Sequence, residues 1–251
     1  MIIYGMLRIK NEARWIERVI RSILPVCQCV YILDDNSTDG TIEICEKLIS
    51  ESGGIVLYKS KASTVDEARD KNVLLGMIMD QVPQEYLAGR LDSPYWVLAI
   101  DGDEVLPAQY HHVVQNFCAT RYHAARLHIK YLWDSENQVR VDGIYRNFLR
   151  PSLFRLYHRN YTFQQTPFGN GKNLHCSSVP QEMLAQAVGI AVALNHYGYL
   201  HKEDRLRKYA YYNEIDPHDE AEDGYRHMVI GDLFPADSKF RHAGPLELKK
   251  I

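Results

Sequence analysis

No stretch of the 251 residues approaches the roughly 20 consecutive apolar residues that cross a bilayer as a helix. Ala187 to Leu194 is the nearest candidate and is too short, so no transmembrane segment is expected; peripheral membrane association through a partner stays open. The opening MIIYGMLRIKNEARW lacks the apolar core of a secretory leader, which sets the expectation of a cytoplasmic protein. Cysteine is sparse and unpatterned. There are five, an odd number, and the Cys27–Cys29 spacing fits neither a zinc knuckle nor a redox pair. Reduced, mostly buried thiols are therefore expected. Excess positive charge is missing too. At a formal net charge of −3 nothing draws polyphosphate to the surface as a whole, so no nucleic-acid partner is expected. A local basic pocket for a diphosphate remains compatible with that charge. Internal repeats and low-complexity segments are absent.

What is present is strand and helix signals in alternation. Ile2 to Leu7 is a short apolar run that predicts a buried strand. Asn11 to Leu24 follows with Trp15, Ile16, Val19, Ile20, Ile23 and Leu24 at helical spacing, and Pro25 stops it. Cys29 to Leu33 predicts a second strand ending at Asp34-Asp35, and NSTDG a turn in which Asp39 or a neighbour caps the next helix. Ile55 to Tyr58 predicts a third strand, Val65 to Met79 a third helix, and Tyr95 to Ile100 a fourth strand running into Asp101-Gly102-Asp103-Glu104. This alternation implies a doubly wound, mostly parallel Rossmann-type sheet flanked by helices. The second half, rich in Tyr, His and Arg, has weaker periodicity. His123 to Trp133 predicts a strand, Arg146 to His158 one or two short strands broken at Pro151, and Lys202 to Ile215 a helix. The organisation expected is a nucleotide-side half over 1–110, an irregular α+β acceptor-side half over 111–215, and a tail over 216–251. Tyr225, Met228, Val229, Ile230, Leu233 and Phe234 make that tail too apolar to be wholly solvated.

The placement of the carboxylates says more than their number. In an open parallel sheet, ligands bind beyond the carboxyl ends of the strands. Asp34-Asp35 ends the second strand and Asp101 with Asp103 the fourth, so both fall on one edge. Alternate residues of an extended segment point the same way, so Asp101 and Asp103 can address one ion, and Gly102 between them lets a ligand approach the backbone. Such oxygen ligands suit Mg²⁺ or Mn²⁺, with water and phosphate oxygens filling the other positions. An Asp-x-Asp alone is more often a solvated turn. The apolar strand feeding into it and the second pair on the same edge reverse that preference.

Three ordered segments, RIKNEARWIERVIRSI, ILDDNSTDGTIEI and WVLAIDGDE, make residues 1 to 110 resemble family 2 glycosyltransferases of the GT-A fold. A fourth, EARDKNVLL, resembles the family's Ala-Arg-Asn segment, although two residues separate Arg69 from Asn72. The resemblance implies that residues around Arg8 and Ile9 line a base pocket, that Asp35 bonds the base or ribose, and that Arg69 lies near the nucleotide. It implies that Asp101 contacts the ribose or the metal's water shell, and that Asp103 ligates the metal. His196, in NHYGY, resembles a late histidine that completes the metal site, with a strand-end structural role equally open; a histidine nitrogen tilts the site toward Mn²⁺. Of Lys202, Arg205 and Lys208, one or two could clamp the diphosphate and the rest face solvent. The activity implied is transfer of a sugar from a nucleotide-diphosphate sugar, UDP-sugar by resemblance, to an unknown acceptor hydroxyl, with inversion. A general base is required. Asp134, Asp142, His175 and Glu182 are candidates, and Glu182 or His175 is favoured because each precedes His196 closely.

Two alternatives compete. Asp35, Ser37, Asp39, Gly40 and Glu46 fall at positions 1, 3, 5, 6 and 12 of a calcium-binding EF-hand loop, but an EF-hand needs a helix before the loop and CVYILD predicts a strand. A sugar nucleotidyltransferase would show a glycine-rich, basic phosphate loop after the first strand, and RIKNEAR contains no glycine.

Overall fold

The computed structural model describes residues 1–157, 160–164, 176–216 and 223–251. Its first half alternates strand and helix: β1 (Ile2–Ile9), α1 (Ile16–Ile23), β2 (Cys29–Asp34), α2 (Thr41–Ser52), β3 (Ile55–Lys59), α3 (Glu67–Met79), a short α4 (Gln84–Leu87) and β4 (Tyr95–Ala99). The second half is strand-rich: β5 (Glu104–Val105), α5 (His111–Cys118), β6 (Ala124–Trp133), β7 (Ser135–Arg140), β8 (Leu149–Leu156), β9 (Ala187–His196), α6 (Lys202–Ile215) and β10 (Leu248–Lys250). All ten strands form one sheet in the order β10-β7-β6-β8-β4-β1-β2-β3, with β9 beside β6 and β5 beside β9. Strands β4, β1, β2 and β3 run parallel, whereas β8 joins β4 antiparallel and β6 joins β8 antiparallel.

Strands β1, β2 and β4 are covered on both faces, which is why they read as continuous apolar runs, whereas β3 ends exposed at Tyr58 and Lys59. Side-chain alternation sorts them. Trp96 and Leu98 of β4, with Ile3 and Leu7 of β1, pack with α1, α2 and α5. Val97 and Ala99, with Tyr4 and Met6, pack with Leu74, Leu75 and Ile78 of α3. Chain order reverses at β1, where β2 and β3 lie on one side and β4 on the other. A crevice is expected at that switch point, beyond the carboxyl ends of β1 and β4.

Several expectations shift. The first helix starts at Ile16, not Asn11: Asn11 has φ +54°, and residues 12–15 form a turn. Pro151 does not break its segment. Strand β8 passes through it, and opposite it β6 shifts register between Ala125 and Arg126, so the missing proline N–H falls at an irregularity of the ladder. His158, the predicted end of that segment, lies outside the described residues. The apolar run at 187–194 is strand β9. Among the described residues no helix is long and apolar enough to cross a membrane.

The C-terminal segment docks. Tyr225, Met228 and Val229 are buried against Leu206, Tyr209 and Tyr212 of α6, Ile230 joins Tyr145, and Leu233 stays 55% exposed. A polar clasp holds the same region. The buried Arg140 guanidinium forks onto Asp142 at 2.7 and 2.9 Å, lies over the rings of Trp133 and Tyr145, and donates to the His227 carbonyl at 2.6 Å. Asp142 also accepts from the Glu247 N–H at 3.2 Å. His227 Nδ1 pairs with the Tyr145 hydroxyl at 2.6 Å, and burial, with His242 and Arg140 nearby, pushes its pKa down from 6.5 to about 3. Between those values the unfolded chain binds more protons than the folded one, so stability falls as pH drops through 6.5 and goes on falling toward 3. Denaturant titrations of the parent and His227→Phe at neutral pH and near pH 5 should show the parent losing roughly 2 kcal/mol more than the variant. Parallel losses in the two would show that His227 is not held neutral.

Candidate active site

The switch-point crevice is a cleft of about 430 Å³. Strand β1 delivers Arg8 and Ile9 to it, with Lys10 just beyond, the segment after β4 delivers Asp101, Gly102 and Asp103, and β8 delivers Arg150 and Pro151. Pairing of β5 with β9 sets Glu104 opposite His196, and the Tyr197 N–H donates to the Asp103 carbonyl at 2.8 Å, so His196 arrives beside Asp103. Helix α6 presents Arg207, Lys208, Tyr211 and Tyr212, while Cys176, Ser177, Ser178 and Leu184 form the facing wall.

Four acids crowd the strand end, and two cations hold them there. Arg150 donates to Asp101 Oδ2 at 2.5 Å and to Glu104 Oε2, which also accepts from the Asp101 N–H at 3.0 Å. Burial would raise Asp101, but Arg150 and Lys71 outweigh it and its pKa lies below the usual carboxylate range. Glu104 is fully buried and pushed up to about 7 by that burial, with Arg150 opposing. On the other side Lys208 Nζ sits 2.7 Å from Asp103 Oδ2 and donates to Glu12 Oε1 at 3.3 Å. The contact with Asp103 is a buried ion pair, close enough for the ammonium to compensate the carboxylate directly. Burial pulls Asp103 up and Lys208 down; their mutual attraction, with His196 and Glu12, reverses both. Burial lowers the His196 pKa more than Asp103 raises it.

Asp103 and His196 fit a metal ion. His196 Nε2 lies 3.6 Å from Asp103 Oδ2, and an imidazole nitrogen beside a carboxylate oxygen is a usable donor pair for a divalent ion. Among the described residues no three His, Cys, Asp or Glu side chains gather to hold a metal. A two-ligand set suits a divalent ion that takes its remaining ligands from water and substrate phosphates. Asp101 lines the same cleft as Asp103, with its Oδ2 engaged by Arg150.

Of the other residues singled out from sequence, Arg8, Ile9 and Gly102 line the cleft. The space a Cβ would take at Gly102 is filled by Ile9 and Glu12, each 2.9 Å away, so this glycine serves internal packing rather than room for a ligand. Asp35 lies behind the wall: Arg8 covers it with a 2.6 Å bond and reaches Asp70 at 2.9 Å. Arg69 is not in the cleft and pairs with Asp70 at 2.7 Å. Arg205 does not line the cleft; it is buried and bonded to Asp232 at 2.5 Å and Asp134 at 2.8 Å. Asp134 and Asp142 are thereby committed to Arg205 and Arg140. Glu182 is exposed on the 3-10 turn Gln181–Gln186 and does not line the cleft, and His175 lies outside the described residues. The EF-hand-like loop follows a strand, its Asp39 accepts from the Thr41 N–H, and its Glu46 pairs with Lys59 at 2.6 Å, so no such hand is formed. Glu12 and Lys71 fall inside quoted segments without being singled out, and Arg150 and Arg207 had no motif to mark them.

No family model matches the chain. An uncharacterized glycosyltransferase of Rickettsia bellii is 27% identical over 157 residues, covering 60% of this chain and 41% of that protein. Among solved structures, TarS of S. aureus aligns over 93% of this chain and 43% of its own, at 15% identity and a TM-score of 0.48. The Pyrobaculum calidifontis mannosyltransferase PcManGT, solved with GDP-Man and Mn²⁺, aligns over 52% and 35%, at 17% identity and a TM-score of 0.38. The chain thus spans about two-fifths of the length of the curated relative it matches.

Arg150 is the most exacting part of this geometry. Arg150→Met leaves Asp101 and the buried Glu104 without their counter-charge and should cost about 3–5 kcal/mol of stability by denaturant titration. Adding Glu104→Gln should recover part of that loss; no recovery would mean that Arg150 acts through packing alone. In sequence the chain is similar to a glycosyltransferase, and its fold is a mixed α/β sheet flanked by helices, as the GT-A likeness implies.

Proposed function

We propose that the protein is a metal-dependent glycosyltransferase that takes its sugar from a nucleotide-diphosphate donor bound in the switch-point cleft. The observation that carries this is the buried Asp103 with His196 at 3.6 Å in a cleft also lined by Arg8, Lys10, Lys71, Arg150, Arg207 and Lys208. The Rickettsia bellii likeness supports the activity class. The division into a nucleotide side over 1–110, an acceptor side over 111–215 and a supporting tail over 216–251 belongs to the same proposal.

Cleavage of the sugar–phosphate bond leaves growing negative charge on the departing diphosphate. A divalent ion held by Asp103 and His196, Mn²⁺ by the nitrogen ligand, would supply Lewis-acid stabilisation of that charge. The chain's own part is pre-organised charge. Arg207 and Lys208 stand on one helix at the cleft, where their positive ends can meet the developing charge. Arg8 is held by Asp35 and Asp70, so its guanidinium is fixed where the base or ribose enters. Arg150 fixes Asp101 in the same way. The aromatic faces of Tyr199, Tyr211 and Tyr212 exclude water from the reacting side.

The acceptor enters along the wall of Cys176 to Ser178 and Leu184, opposite α6. Inversion, implied by the family resemblance, asks for a base on that side. Glu182 is two residues from the cleft-lining Leu184 and reaches an acceptor hydroxyl only if this wall closes inward; His175 is the second candidate. A UDP-sugar is the donor favoured by resemblance.

A thermal-shift panel of nucleoside diphosphates with and without Mn²⁺ identifies the base, since a ligand at 100 times its dissociation constant adds roughly 2.7 kcal/mol. Asp103→Asn should then lower donor turnover about a hundredfold to a thousandfold. His196→Gln should weaken the Mn²⁺ requirement. Parent-like turnover in both variants would remove the metal assignment, and no stabilisation by any nucleoside diphosphate would remove the donor class.

A further inference from the structure

The cleft contains a cation of its own at the place where a metal would bind. Lys208 lies 2.7 Å from the same Asp103 oxygen that faces His196 at 3.6 Å. Its side chain is 13% exposed, so the ammonium has given up most of its water, and the groups that compensate it are Asp103 and Glu12. The contact is built rather than incidental. A Cβ on Gly198 would collide with Asp103 Oδ2 and come within 2.7 Å of Lys208 Cε, so the chain leaves out a side chain where these two groups meet.

We propose that Lys208 is the resting counter-ion of Asp103, and that Lys208 and a divalent cation compete for this carboxylate until the donor's diphosphate draws the ammonium away. Two positive groups on one buried oxygen repel each other, so each weakens the other's hold. In the resting chain the acids of this corner are already answered by Lys208, and two further positive charges in a poorly hydrated pocket are unfavourable. A diphosphate brings the negative charge that is missing. Lys208 has a flexible four-carbon stem and lines the cleft beside Arg207, so its ammonium can turn from Asp103 to a phosphate oxygen without movement of α6. Metal and donor then bind with positive coupling. The proposal rests on the nucleotide-sugar reading only for the identity of the diphosphate; the competition is a property of the resting chain.

The test is a titration of the full chain with Mn²⁺ alone, followed by the electron paramagnetic resonance signal of the free ion. Lys208→Met keeps the apolar stem and removes the charge. It should bind Mn²⁺ at least about tenfold more tightly than the parent. The melting temperature of the variant should also rise more with Mn²⁺ than that of the parent. The gain should vanish when Asp103→Asn is added. Equal or weaker Mn²⁺ binding by the variant, no binding by either protein, or a gain that survives Asp103→Asn would each overturn the proposal. Should Lys208→Met fail to fold, Lys208→Gln, neutral but able to bond Asp103, carries the same comparison. Donor hydrolysis by the parent is measured separately. Its absence alongside an intact Mn²⁺ gain would sink the glycosyltransferase reading and leave the competition standing.

Discussion

Four carboxylates gather at one end of a buried strand, and the local structure follows from how they are kept apart. Glu12, Asp101, Asp103 and Glu104 would repel one another and resist desolvation if left alone. Arg150 from β8 and Lys208 from α6 divide them into two pairs, Asp101 with Glu104 and Asp103 with Glu12. Each cation comes from a chain segment far from the acids in sequence. The charge balance therefore ties the antiparallel half of the sheet and the last helix to the parallel half, which apolar packing alone would not do with this specificity. Buried pairs of this kind are weak sources of net stability, but removal of either partner is costly, so they specify an arrangement more than they strengthen it.

Backbone topology makes the balance possible. Because β4 lies beside β1 on the opposite side from β2, the loop after β4 opens over the end of β1 and not over a neighbouring helix. The two glycines in contact with this corner give it its closeness. Gly102 admits Ile9 and Glu12 against the backbone, and Gly198 admits Asp103 and Lys208. Pairing of β5 with β9 then places His196 opposite Glu104, one residue after Asp103, and this two-residue strand is what brings a histidine from 93 positions away to the acid.

The parallel half was legible in the sequence because β1, β2 and β4 are buried on both faces and its helices carry one apolar stripe. Val19, Ile20 and Ile23 show that stripe, and Trp96 to Ile100 is an unbroken buried run. The carboxylates stood out because such a run ended on them. The cations did not. Arg150 follows no motif, and the neighbouring Pro151 argued for a broken strand where β8 is continuous. Helix α6 was found at its true limits, Lys202 to Ile215, yet which of its faces meets the cleft could not be read. It buries Asp204 and Arg205, not an apolar stripe, so hydrophobic periodicity carries no information about its orientation. Arg205 and Lys208 are equally basic in sequence, and only the fold sends one to a structural knot and the other to the site.

That knot explains why a polar helix can hold a buried ammonium in place. Arg205 spends its donors on Asp232, Asp134 and the carbonyls of Tyr199 and Leu200, and its guanidinium lies over Trp133. At the first turn of the helix Asp204 accepts from Arg14 at 2.8 Å, close to Glu12 in the chain. These bonds fix the rotation of α6 about its own axis. Since Lys208 is one turn further along, its direction is fixed with them. The C-terminal segment supplies Asp232, stacks Tyr225 on Tyr212 at 4.7 Å, and packs Met228 and Val229 against the same helix. Its described residues thus support the site from behind by holding the helix that carries the cation.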